Sequence, residues 1–317
     1  MMKPTILVTG APRSGTTPLG QMLSTLPGAF SLYEPMGPTG DQRIRKRFPI
    51  PGESDFSEQA FDGFLRDLEC LDLRFKPQRR PGHRGFAGLA ARLFGTRSLL
   101  TYRLAKVTPG RRLLIWKDPH AVFCAPFAAR FGFRAVVSIR SPYAHAASFK
   151  RLGWVSQVQE IYSRWRVVYG DIPDFPAWIE RFAACPVGSA SLLWHLVYSR
   201  MISLALHERS GVFLLNMEDV AGNEQQAYEN LFAWLGEPMP IRARKLLANR
   251  RQRSEKRQGA ASGSCVPGEH KVHDFDRTAE QANNYWRDIL TESEIAMVRE
   301  VNEALWGALT GRFPQGE

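Results

Sequence analysis

The chain has few cysteines, and none is placed to work with another. Cys70, Cys124, Cys185 and Cys265 lie far apart with no CxxC pair, which argues against a zinc site or a redox motif and leaves reduced thiols as the expectation. Long apolar runs are also missing. The most apolar long stretch, 189–206, is interrupted by His195 and Arg200, so no transmembrane segment is expected. The chain enters a strand pattern at Ile6 without a basic n-region, a long apolar run and a cleavage site; no signal peptide and a cytoplasmic location are expected. There is no internal repeat and no long low-complexity tract, and no cluster with metal-ligand spacing is visible.

What is present is an ordinary globular composition with a basic bias. Hydrophobic residues make up 44% and charged residues 23% of the 317, enough to bury a large core. The 42 Lys and Arg exceed the 31 Asp and Glu, giving +11, and such a field attracts anions. The basic residues cluster at Arg43, Arg45, Lys46 and Arg47, again at Arg79, Arg80 and Arg84, and most densely from Arg242 to Arg257. No aromatic residues interleave with the third group, which disfavours single-stranded nucleic acid, and no nucleic-acid partner is expected.

Four short apolar runs, 6–8, 113–116, 135–139 and 212–215, read as buried parallel strands, each followed by polar residues and a helical pattern. That alternation predicts an α/β fold, a central parallel sheet flanked by helices in three layers. Helices are predicted over 16–26, 121–131, 143–152 and 189–207, around Ala227 to Leu235, and from a capping box at Thr291 and Glu294 onward. Residues 37–110, rich in Gly, Pro and Arg, read as an insertion between the first two strands, and about 241–270 as a basic loop facing cofactor or acceptor. The whole of 1–317 reads as one domain. Ligands of such sheets bind beyond the carboxyl ends of the strands, so the residues there matter most.

After the first strand comes Gly10-Ala11-Pro12-Arg13-Ser14-Gly15-Thr16-Thr17, running into a helix. Glycines allow the tight path, and the free amides of a helix start bind phosphate oxygens. The spacing matches a P-loop, but Thr16 stands where an NTPase needs lysine. The string from Pro12 to Thr17, with Leu19 and Met22-Leu23 beyond it, resembles the 5′-phosphosulfate loop of sulfotransferases that use 3′-phosphoadenosine-5′-phosphosulfate (PAPS), and is most similar to their tyrosylprotein and carbohydrate branches. The resemblance implies that Pro12, Arg13, Ser14, Gly15, Thr16 and Thr17 hold the 5′-phosphate and sulfuryl group.

Ile139-Arg140-Ser141-Pro142 and Ser148 resemble the family's 3′-phosphate motif, with a strand-end Arg and a Ser eight residues on; a guanidinium grips phosphate in a bidentate manner and a hydroxyl adds a bond. Tyr33-Glu34-Pro35 resembles the place of the family's general base. Trp116-Lys117-Asp118-Pro119-His120 is similar to the tyrosylprotein branch, where the lysine stabilises charge during transfer. Arg257 and Gly259 match the late nucleotide loop only loosely. Asn216 to Asp219 resemble the family's fourth-strand region, and Trp286 and the terminal helix are also similar to it, whereas 155–187 carries no motif.

The resemblance implies a PAPS-dependent sulfotransferase with Glu34 as base, Lys117 and Arg13 as electrostatic catalysts, and no metal. Its acceptor would be a hydroxyl on a small molecule, glycan or lipid in preference to protein tyrosine; its oligomeric state is left open. His120 is the rival base. Two other classes stay open: a P-loop kinase or nucleotide hydrolase, for which Asp118 is the available magnesium carboxylate, and a non-catalytic anion- or glycan-binding protein.

Overall fold

A computed structural model describes residues 5–76, 96–205, 211–258 and 279–311. Five strands form one sheet in the order β2-β3-β1-β4-β5: β1 Thr5–Gly10, β2 Ala29–Tyr33, β3 Leu113–Lys117, β4 Arg134–Ile139 and β5 Val212–Asn216. All the pairings are parallel. Four of the strands are the expected apolar runs. The fifth, β2, is an edge strand broken by Ser31 and half-exposed along most of its length, so it has no continuous apolar signature. Its presence moves the insertion, which lies between the second and third strands.

Side chains of alternate residues leave a strand on opposite faces, and the two cores follow that period. Leu7, Trp116, Val137 and Ile139 join one buried cluster, Ile6, Val8, Ile115 and Val136 the other. The first face is covered by the helices Glu58–Cys70, Pro142–Leu152, Pro186–Ala205 and Glu292–Thr310, the second by Thr16–Leu23, Glu224–Trp234 and Ile241–Gln258. This is the three-layer α/β architecture the alternation called for.

Several boundaries differ for local reasons. The expected helix at 121–131 begins earlier, as a 3-10 turn Pro119–Cys124 capped by the Asp118 side chain, before Ala125–Arg130. The capping box of Thr291 and Glu294 forms as expected. Residues 155–187, which carry no sequence motif, hold two helices, Val158–Tyr169 and Phe175–Phe182. The basic stretch read as a loop from 241 onward is instead helical over Ile241–Gln258, since its Arg, Lys, Ala, Leu and Gln residues are good helix formers. The side chain of Arg257, and Gly259 altogether, lie outside the described residues.

Candidate functional site

Strand register assembles the site. Tyr33 lies beside Lys117, Val8 beside Lys117, Gly10 beside Ser138 and Ile139 beside Asn216. The residues that follow the strands therefore meet along one edge of the sheet, where a cleft of about 1360 Å³ opens. Pro12, Arg13, Ser14, Gly15, Thr16, Thr17, Glu34, Lys117, His120 and Arg140 all line it. Of the expected residues with described side chains, Ser148 alone stands behind the wall.

The phosphate-loop path is forced by close contacts. A Cβ on Gly10 would lie 2.4 Å from the Ser138 carbonyl oxygen and 2.6 Å from the Ser14 hydroxyl. Gly15 caps the helix Thr16–Leu23 in the left-handed conformation, φ 98°, where an L side chain is strained. A buried network fixes the loop from below. The Ser14 and Ser138 hydroxyls are 2.7 Å apart, and the Tyr198 hydroxyl accepts from the Ala11 N–H at 3.2 Å while donating to the Ser138 carbonyl at 2.7 Å. Tyr198 comes from the middle of the helix Pro186–Ala205 and is fully buried. No local pattern in the sequence pointed to it.

Arg140 and Ser148 meet through Arg13. Arg13 Nε donates to Ser148 Oγ at 3.0 Å, and Arg140 Nη1 donates to the Arg13 carbonyl at 3.0 Å. Arg140 Nη2 donates to the Ala282 carbonyl, tying the loop to the helix Ala279–Asn284, and Trp194 Nε1 donates to the Arg140 carbonyl at 2.8 Å. Burial, reinforced by the like charge of Arg140, lowers the Arg13 pKa to about 10. Two guanidiniums brought together at this loop form a site whose mutual repulsion an anion would relieve.

The other half of the edge carries Glu34 and Lys117. Lys117 Nζ donates to Glu34 Oε1 at 2.7 Å and lies over the Tyr33 ring, 4.2 Å from its centroid. Gly20, whose Cβ would stand 3.1 Å from Lys117 Cγ, gives the lysine room. Glu34 has a positive φ of 45°, uncommon outside glycine and sustained only where the surroundings fix it. Here they do. Its N–H donates to the Lys117 carbonyl at 2.8 Å, and its carbonyl accepts from the Gly37 N–H at 3.0 Å.

Asp118 locks the same turn from inside. It is fully buried, and its two oxygens accept from the Met36 and His120 N–H groups at 2.6 and 2.9 Å. Burial, with the nearby charge of Glu34, pushes its pKa up to about 7. A carboxylate so enclosed, with both oxygens engaged, is a structural clamp and not the open magnesium ligand of the kinase reading. His120 is mostly buried, and burial lowers its pKa to about 4. Its ring is neutral at pH 7 and lies against the Phe48 ring, centroids 5.1 Å apart, whereas Glu34 is the group paired with Lys117.

Among the described residues no group of three or more His, Cys, Asp or Glu could hold a metal ion, and no helix is long and apolar enough to cross a membrane. No known family model matches the chain, and no curated protein does. Among solved structures it is similar to the sulfotransferase domain from the curacin biosynthetic pathway, with 17% identity, a TM-score of 0.44, and 94% of this chain and 96% of that one covered. It is also similar to sulfotransferase STF9 from Mycobacterium avium, with 14% identity, a TM-score of 0.39, and 98% of this chain and 77% of that one covered.

Proposed function

We propose that the chain is a sulfotransferase that uses PAPS and acts on an acceptor hydroxyl of a small molecule, lipid or carbohydrate. The observation that carries this reading is the Glu34–Lys117 pair, 2.7 Å apart, opening into the same cleft as a phosphate loop without the NTPase lysine. A binding protein for anions has no need of a carboxylate beside its anion site; a transferase that must deprotonate a hydroxyl does.

The residues present fit a doubly phosphorylated adenosine donor. Residues 12–17 and Arg140 line one cleft, and Arg140 Nε is buried without a hydrogen-bond partner. Residues 12–17 would hold the 5′ side, and Arg140 with Ser148 the 3′-phosphate, with Arg257 and Gly259 as further contacts proposed from the sequence alone. When bound, PAPS supplies the activated sulfuryl group. Glu34 accepts the hydroxyl proton of the acceptor. As it does so, its negative charge disappears and the Lys117 ammonium, until then neutralised, gains an uncompensated positive charge where negative charge develops. Arg13 contributes a second. Preorganisation of these groups by the strand ends supplies the rate.

Calorimetry with 3′-phosphoadenosine-5′-phosphate (PAP) and ATP tests the nucleotide, and transfer of labelled sulfate from PAPS to an extract tests the chemistry. Tight PAP binding, weak ATP binding and transfer unaffected by a strong chelator are expected. Equal affinities, or a chemical step that needs magnesium, would favour a kinase.

A further inference from the structure

Part of the cleft lining differs in kind from the phosphate loop. Among the described residues seven large hydrophobic side chains are exposed; Trp154 and Val155, at 40% and 52%, are neighbours in sequence and the two of the seven that line the cleft. They sit on a fixed turn. The N–H groups of Gly153 and Trp154 donate to the Lys150 and Phe149 carbonyls at 3.1 and 3.0 Å, and the Ser156 N–H donates to Ser189 Oγ at 3.1 Å. Exposed apolar surface held rigidly in a cleft marks a binding wall.

Phe48, a buried residue that is 5% exposed, also lines the cleft, and the chain is bent to place it. Its φ is 53°, in the left-handed region that strains a bulky residue. The buried Arg164 holds it there, donating to the carbonyls of Phe48 and Arg47 at 3.2 and 2.8 Å while pairing with buried Glu53 at 2.8 Å. The Phe48 ring lies 5.1 Å from the His120 ring, so this wall carries no charge at neutral pH. Beside it stands Arg47, exposed and lining the cleft, whose guanidinium has no ion pair or hydrogen bond among the described residues. Glu34 pairs with Lys117 at 2.7 Å, and Glu160 lies 3.4 Å from Arg164 Nε. An apolar wall beside one uncompensated cation suits an amphiphile that carries an acidic group.

Building on the sulfotransferase reading, we propose that this end of the cleft takes a small amphiphilic hydroxy acid, its apolar body against Trp154, Val155 and Phe48 and its acidic group at Arg47.

The test is calorimetry on the full chain, with and without PAP, using a medium-chain ω-hydroxy acid, the matching diol, and methyl glucoside. The hydroxy acid is expected to bind best and the glucoside worst. Arg47→Ala is expected to lose roughly tenfold in affinity for the acid, the worth of one charge-assisted hydrogen bond, and nothing for the diol, with Arg47→Lys recovering part of the loss. Trp154→Ala is expected to weaken acid and diol alike. PAP affinity stays unchanged in all three variants, whose sites are at the surface. Glucoside binding as tight as that of the acid, or an Arg47→Ala protein that still prefers acid to diol, overturns the proposal. Failure of PAP to bind the unmodified chain would defeat the sulfotransferase reading separately, because the amphiphile titrations without PAP judge the pocket by themselves.

Discussion

The two ends of the cleft are built by different means. At the phosphate loop, tightness comes from below through neutral buried groups, Gly10 against Ser138 and Tyr198, on the helix Pro186–Ala205, bridging Ala11 and Ser138, with Arg140 as the charged tie across the top. At the acceptor end, the backbone is held in left-handed turns at Glu34 and Phe48 by acidic and basic side chains reaching from elsewhere, Asp118 with Lys117 in one case and Arg164 with Glu53 in the other. A rigid nucleotide half and a charge-clamped acceptor half can change separately. The second can be re-shaped by exchanging clamps without disturbing the sheet.

The largest expected effect lies where the halves meet. Glu34→Gln keeps an amide oxygen for Lys117 and removes the basicity, so turnover should fall roughly 100-fold to 10,000-fold while PAP affinity hardly moves. His120→Ala should leave most activity, since it is Glu34, not His120, that pairs with Lys117 in the cleft. Near-normal turnover in Glu34→Gln, checked by initial rates on several acceptors, would remove Glu34 as base. Loss of PAP binding in the same variant would show that the halves are not separable.

A smaller effect is expected from Arg140→Ala. The side chain ties the Arg13 carbonyl to Ala282, so its loss both removes a phosphate partner and loosens the loop. PAP affinity should fall roughly tenfold to hundredfold by calorimetry, with amphiphile binding in the absence of PAP unchanged. Unchanged PAP affinity would move the 3′-phosphate site elsewhere.

Tyr198→Phe sharpens the contrast further, because it removes one oxygen and keeps the packing. It leaves the Ala11 N–H and the Ser138 carbonyl without their partner, at a cost of about 1–3 kcal/mol, to be read from urea unfolding. PAP affinity should weaken severalfold, since the loop loses its support while every loop residue remains. A variant with wild-type stability and affinity would deny the network its role.

These contrasts also explain what the sequence could disclose. Gly10, Arg13 to Thr17 and Arg140 follow apolar runs directly, and local spacing sufficed to place them on strand ends. Glu34 and Lys117 could be singled out by their flanking strings, but their pairing depends on β2, an edge strand that Ser31 interrupts. Tyr198, Arg164 and the Phe48 turn were invisible because each acts on residues far away in the chain, 187 positions for Tyr198 with Ala11 and 116 for Arg164 with Phe48. A partner at such separation leaves no period or spacing in a single sequence. The helix Ile241–Gln258 is the opposite case: its density of charge reads as a loop, while its Arg, Lys, Ala, Leu and Gln residues favour a helix.

The smallest expected effect concerns the clamp itself. Burial raises Asp118 to about 7 from an ordinary 3.8. Between those values the folded chain holds a proton on Asp118 that the unfolded chain has released, so this group's contribution to stability is full below about 3.8 and is lost as pH rises through about 7. His120 acts in the opposite sense. Burial lowers it from 6.5 to about 4, so from about 6.5 down to about 4 the unfolded chain takes up a proton that the folded chain refuses, and stability falls with falling pH. Two residues apart, the groups offset each other between about pH 4 and 6.5. Asp118→Asn abolishes one side of the balance. The amide also has a single acceptor oxygen for two N–H donors, so the variant is less stable throughout, but the informative quantity is the slope. Over that window its unfolding free energy should rise with pH more steeply than that of the unmodified chain, by up to about 1.4 kcal/mol per pH unit, the value for one full proton. Urea unfolding at several pH values measures it. Equal slopes would mean that Asp118 remains ionised in the folded chain, and that the acceptor half is clamped by a charge at every pH in that range.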